Sequence, residues 1–133
     1  MLSEIKGKKA LLVDDSESAR MVLHEMLSSI GFNVLVAKDA FEAIEIFELE
    51  QQSEEKLTLM VVDWQMPGMD GFELAELMRG NLRTKHVPII FLTAGSADRL
   101  RRFRGYEAGA VDFLHKPIEP DILRSKADVF FDL

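Results

Sequence analysis

Asp14, Asp15 and Asp63 each stand where an apolar run gives way to a break, and that placement makes them candidates for chemistry. The run Lys9–Val13 closes in Asp14-Asp15-Ser16, and Leu59–Val62 closes in Asp63 before Pro67, Gly68 and Gly71. An apolar run stopped by an acid and followed by turn formers reads as a buried strand meeting a loop. Thr93 follows the run Val87–Leu92 in the same way, and Lys116 follows Ala110–Leu114. If these strands are parallel, all their C-terminal ends lie on one sheet edge, where ligands bind in open α/β sheets. Three carboxylates, a hydroxyl and an ammonium then converge. Acids about 4 Å apart repel by ~4 kcal/mol per pair at an effective dielectric of about 20, so such a site needs protons or a cation. An all-oxygen donor set without His or Cys favours a hard ion such as Mg²⁺, which also coordinates phosphate.

The elements that must position these groups follow from periodicity. Ala19, Val22, Leu23, Met26, Leu27 and Ile30 recur at helical spacing, and Gly31 stands where a left-handed cap belongs. Asn33–Ala37 is a second strand, and Ala40, Ala43, Ile44 and Phe47 form a second helical stripe that fades into the polar stretch 48–56. Thr58–Val62 is the third strand, and Phe72, Leu74, Ala75, Leu77 and Met78 mark a third helix ending near Gly80-Asn81. The fourth strand, Val87–Leu92, carries Pro88 at its start, where a missing N–H is tolerated. A fourth helix spans about 97–108, Ala110–Leu114 is the fifth strand, and Glu119-Pro120 opens a fifth helix. Five strands alternating with five helices give an α/β fold with one doubly wound parallel sheet. Right-handed crossovers cover both faces, which explains the continuous apolar strands. Strand order is not readable from this pattern.

Bulk properties set the outer limits. At 133 residues, 47% hydrophobic and 29% charged, the chain fits a single globular domain over residues 1–133. A net charge of −7 argues against direct nucleic-acid binding. The absence of cysteine excludes disulfides and thiolate metal sites. No apolar run approaches the roughly 18 residues of a membrane span, and the N-terminus lacks the apolar core of a signal peptide. The expected location is the cytoplasm.

Taken together, Asp14-Asp15, Asp63 followed by Met66-Pro67-Gly68-Met69-Asp70-Gly71, Thr93-Ala94 and Lys116-Pro117 resemble the receiver domain of two-component response regulators. The resemblance covers roughly residues 8–131 and rests on order and spacing jointly. It implies a flavodoxin-like sheet of order 2-1-3-4-5 with Asp63 as phosphoacceptor. Mg²⁺ would be held by Asp14, Asp15, Asp63 and the backbone carbonyl of Gln65. Thr93 and Lys116 would bind the phosphoryl group, Ala94 would follow the switch hydroxyl, and Lys116–Pro117 would be a cis peptide. Phe113, three residues before Lys116, matches the aromatic switch position. The donor would be a phosphohistidine on a histidine kinase or phosphotransfer protein. The output partner has no counterpart in this stretch, and the chain reads as either a stand-alone receiver or a piece of a longer protein.

The same residues admit plainer roles. Asp14, Asp15 or Ser16 could cap the first helix, and Phe113 could be core packing. His24, His86 and His115 lack metal-ligand spacing and read as structural or surface residues. Trp64 reads as a partly exposed wall of the site. The fourth helix carries Arg99, Arg101, Arg102 and Arg104 against a single Asp98, a local charge reversal that could be a partner surface on the output face or a solvated helix, and Gly105 there costs about 1 kcal/mol relative to Ala. In the last helix Leu123, Ala127, Phe130 and Phe131 form a core stripe, while Ile122, Val129 and Leu133 form a second stripe suited to a homodimer seam. An aspartyl-nucleophile phosphatase would need a second acid two residues after Asp63, where Gln65 stands. A flavodoxin proper would not place Asp14-Asp15-Ser16-Glu17 at the flavin phosphate. The alternative function is a receiver-like scaffold that binds partners without phosphorylation.

Overall fold

A computed structural model describes residues 5–94 and 112–129. In chain order the elements are β1 (Lys9–Val13), α1 (Glu17–Ile30), β2 (Asn33–Ala37), α2 (Ala40–Glu50), β3 (Leu57–Asp63), α3 (Gly71–Arg79), β4 (Ile89–Ala94), β5 (Asp112–Lys116) and α4 (Pro120–Val129). All five strands pair in parallel in the order β2-β1-β3-β4-β5, flavodoxin-like as expected. Four helices lie among the described residues. The arginine-rich segment at 97–108 with Gly105, and Phe130, Phe131 and Leu133, lie outside them.

Strand alternation divides the core in two. Leu11, Val13, Met60, Val62, Ile89, Phe91 and Phe113 face α2 and α3, where Ala40, Ala43, Phe72, Ala75 and Met78 meet them. Ala10, Leu12, Leu59, Val61, Ile90, Leu92 and Leu114 face α1 and α4, meeting Leu23, Leu27, Ile30, Leu123 and Ala127. Because a strand's side chains alternate with period 2, each strand feeds both layers. Both faces are buried, so the runs read as continuously apolar.

The helix ends follow their sequence cues. Ser16 caps α1, its hydroxyl accepting the Ala19 N–H, and Gly31 ends the helix at φ 123°. Asp70 and Glu73 form a reciprocal capping box on α3. The apolar stripe of α1 is narrower than the spacing implies. Leu23, Leu27 and Ile30 are buried and Ala19 and Met26 pack beside them, but Val22 is 53% exposed. It sits one residue before Leu23, about 100° off the buried line.

The ends of β4 and β5 lie nearer the functional edge than the apolar runs imply. β4 begins after Pro88, whose carbonyl accepts the Met60 N–H, and it runs on through Thr93 and Ala94. β5 runs through Lys116, two residues past the expected end. Thr93 and Lys116 are therefore held by the sheet ladder itself, not by the loops beyond it.

Candidate functional site

Alternation decides which polar groups meet at the C-terminal edge. Asp14, Asp63 and Lys116 continue the parity of Leu12, Val61 and Leu114, so they share the α1–α4 side. Thr93 and His115 continue the parity of Phe91 and Phe113 and share the other. The side chains obey this division. Lys116 Nζ donates to Asp14 Oδ2 at 2.8 Å and lies 3.6 Å from Asp63 Oδ1. Thr93 Oγ1 lies 3.0 Å from His115 Nδ1, across the register pair that the two residues form.

Asp14 is fully buried and doubly held, its Oδ1 accepting the Ser16 N–H at 2.9 Å. The Arg20 guanidinium donates to the Asp14 carbonyl at 2.8 Å and so ties α1 to the end of β1. Asp63 is 7% exposed, while Asp15 faces solvent. One carboxylate oxygen from each of Asp14, Asp15 and Asp63 lies within 4.8 Å of the others.

This crowding moves proton affinities. Burial, the charge of Asp14 and the hydrogen bond with Asp15 push the Asp63 carboxyl up from 3.8 to about 7, and Lys116 opposes them. For Lys116, burial favours the neutral form. The hydrogen bond and charge of Asp14, with the charge of Asp63, outweigh it and leave the ammonium above its ordinary value. The pocket thus holds more negative charge than one lysine neutralises.

The loop after β3 brings the chain back against Asp63. Gly68 adopts φ +79°, a left-handed conformation that favours glycine. At Gly71 the reason is space: a Cβ there would stand 2.5 Å from the Asp63 carbonyl oxygen. The Gly71 N–H donates to the Trp64 carbonyl at 3.2 Å, closing the loop. Gln65, in this loop, and Ala94, at the end of β4, are exposed. The Lys116–Pro117 peptide is cis.

Trp64 departs from expectation. It is 5% exposed and packs on Phe72, Phe91 and Phe113, with ring centroids 3.9, 5.6 and 5.4 Å away. The Trp64 N–H donates to the Leu92 carbonyl, so β3's alternation runs one residue further and turns the indole into the core opposite Asp63. Phe113 is 8% exposed and already lies inward on Trp64 and Phe91. His24 and His86 are exposed, as expected of surface residues. His115 is also exposed, but it is bonded to Thr93, a role its spacing to other histidines could not show. The available signal was register, since Thr93 and His115 become neighbours once β4 is paired with β5. Arg20 was missed because its target is a backbone carbonyl, which leaves no trace in residue type.

The donor set fits a hard divalent cation. All three groups are carboxylates with ligand oxygens close together, and the raised Asp63 affinity for a proton shows the charge that a cation would relieve.

The response regulator receiver domain model matches residues 10–128. The chain belongs to this family. As a receiver domain it is part of two-component signalling, a family whose members interact with histidine kinases. It is 40% identical over 92% of its length to a probable transcriptional regulator, ycf27, of Cyanophora paradoxa, and spans about half (48%) of that protein. Against chemotaxis protein CheY1 of Helicobacter pylori it is 34% identical, with 91% of this chain and 94% of that protein covered. A response regulator structure from Chloroflexus aurantiacus superposes with TM-score 0.83 at 30% identity, covering 96% of this receiver and all of that chain. The receiver domain of a sensor histidine kinase from Pseudomonas aeruginosa, described with magnesium in its active-site cleft, superposes with TM-score 0.82 at 27% identity, over 96% and 99% of the two chains.

Proposed function

We propose that this receiver is a phosphoacceptor switch in which Asp63 takes a phosphoryl group from a phosphohistidine of a histidine kinase or phosphotransfer protein. The observation that carries the reading is Asp63 itself, buried at the end of β3 within reach of Lys116 and of two further carboxylates. In the transfer an Asp63 carboxylate oxygen attacks phosphorus, the O–P bond forms as the N–P bond breaks, and the leaving imidazole keeps the electron pair and takes a proton. Such a reaction asks for in-line positioning and charge neutralisation more than for covalent assistance. Asp63 acts ionised, and the Lys116 ammonium favours that form. Asp14, Asp15, Asp63 and the Gln65 carbonyl would hold Mg²⁺, which supplies positive charge to the phosphoryl oxygens when bound. Transfer and later hydrolysis are self-catalysed on Asp63, so the protein is a signalling component and not a turnover enzyme.

The added charge and acceptor oxygens on Asp63 draw the Thr93 hydroxyl and Lys116 towards them. Phe113 already occupies an inward place, so phosphorylation holds that packing rather than creating it. The β5–α4 face then presents the output, in the cytoplasm. Among the described residues no helix is long and apolar enough to cross a membrane. A scaffold that works without phosphorylation would have no use for a buried acid beside two others. Phosphoramidate with Mg²⁺ is expected to add one phosphoryl mass to the wild-type chain and none to Asp63→Asn. Equal labelling of both would end the assignment.

A further inference from the structure

Thr93 and His115 stand opposite each other in the β4–β5 register, with Thr93 Oγ1 3.0 Å from His115 Nδ1. We propose that His115 is a positioning residue for the switch, a latch on the Thr93 hydroxyl that sets how readily it turns towards a phosphoryl group on Asp63. The inference rests on the reading of Asp63 as phosphoacceptor and Thr93 as its hydroxyl partner.

The latch holds in either histidine tautomer. A hydroxyl has one proton to donate. If Nδ1 accepts it, that proton is engaged; if Nδ1 donates, a lone pair of the Thr93 oxygen is engaged. In both cases the bond breaks when Thr93 rotates away. Threonine is β-branched and has few χ1 wells, so the rotation is a jump between discrete positions and not a gradual drift. The anchor is firm, because the neighbours of His115 in β5 are the buried Leu114 and the Lys116 held by Asp14 and Asp63. Adjacent residues of one strand therefore grip the two groups that are to gather on the phosphoryl oxygens, Lys116 directly and Thr93 through His115. Releasing a hydrogen bond of ordinary net strength alters the equilibrium by roughly two- to tenfold.

The test is the affinity for beryllofluoride, a phosphoryl mimic, in the presence of Mg²⁺, read from the ¹⁹F resonances of the bound form. His115→Phe keeps a ring without the nitrogen, and His115→Ala removes the ring from an exposed position, so one serves if the other fails to fold. Both are expected to bind beryllofluoride roughly two- to tenfold more tightly than wild type. His115→Asn, which restores a polar atom near Nδ1, is expected to return towards wild type. In a Thr93→Ala background the His115 substitutions are expected to change nothing, the mark of a pairwise effect. Unchanged affinity in folded His115→Phe and His115→Ala, or the same gain in the Thr93→Ala background, overturns the latch alone. A wild-type chain that binds no beryllofluoride overturns the phosphoacceptor reading and the latch with it.

Discussion

Asp63 carries a heavy electrostatic burden, and its cost has a pH signature. Its carboxyl titrates near 7 in the fold against 3.8 as its unperturbed value. Between those values the folded chain keeps a proton that the unfolded chain has lost, so stability falls as pH rises through the window. In metal-free buffer Asp63→Asn is expected to melt several degrees above wild type at pH 8, an effect on the order of 1 kcal/mol or more. The advantage should shrink towards pH 4, and a constant difference across thermal melts would contradict the electrostatic account. Asp15 is exposed and offers a carboxylate oxygen to the acidic cluster without filling the core. Asp15→Asn is expected to weaken Mg²⁺ binding at least tenfold by calorimetry, on the order of the loss of a charged ligand, with the melting temperature little changed. At this scale the acids and Lys116 were legible in the sequence because each interrupts an apolar run. Trp64 was not, since a residue next to the site in sequence can lie on the opposite face, and a one-residue extension of β3 decides which.

The element that most constrains the site is the turn from β3 into α3. Gly68 supplies a positive φ, Asp70 caps the helix, and Gly71 lets the helix start lie against the Asp63 carbonyl. Gly71→Ala is expected to cost roughly 1–3 kcal/mol in chemical denaturation, as overpacking against backbone does. It should also slow phosphorylation by small donors, because the strain falls on Asp63. A variant as stable and as readily labelled as wild type would show that the loop relaxes freely. The Pro-Gly punctuation made this turn readable, and the helical stripes of α1 and α3 followed from spacing. The exposure of Val22 did not follow, since spacing fixes a direction around the helix but not how much of the arc the sheet covers. Strand order lay beyond the local pattern too. It came from resemblance, and the parallel pairing of β2 with β1 and of β3 with β1 bears it out.

For the whole molecule, the doubly wound sheet gathers residues distant in sequence onto one edge and leaves the opposite surface of α4 partly uncovered. Leu123 and Ala127 are buried against the sheet, while Ile122 and Val129 are 44% and 54% exposed. If this strip is a homodimer seam, sedimentation velocity should show self-association that changes with beryllofluoride and is lost in Val129→Glu. A monomer at high concentration in both states would remove the seam. A phosphoryl group on the β-carboxylate of Asp63 can be read out by chemical mapping. The chain is labelled with phosphoramidate and Mg²⁺, reduced with borohydride, and digested for peptide mass spectrometry. Residue 63 alone is expected to be converted to homoserine, dependent on the phosphodonor. Reduction at Asp14 or Asp15 in place of Asp63, or none in a chain shown to carry phosphate, would contradict it.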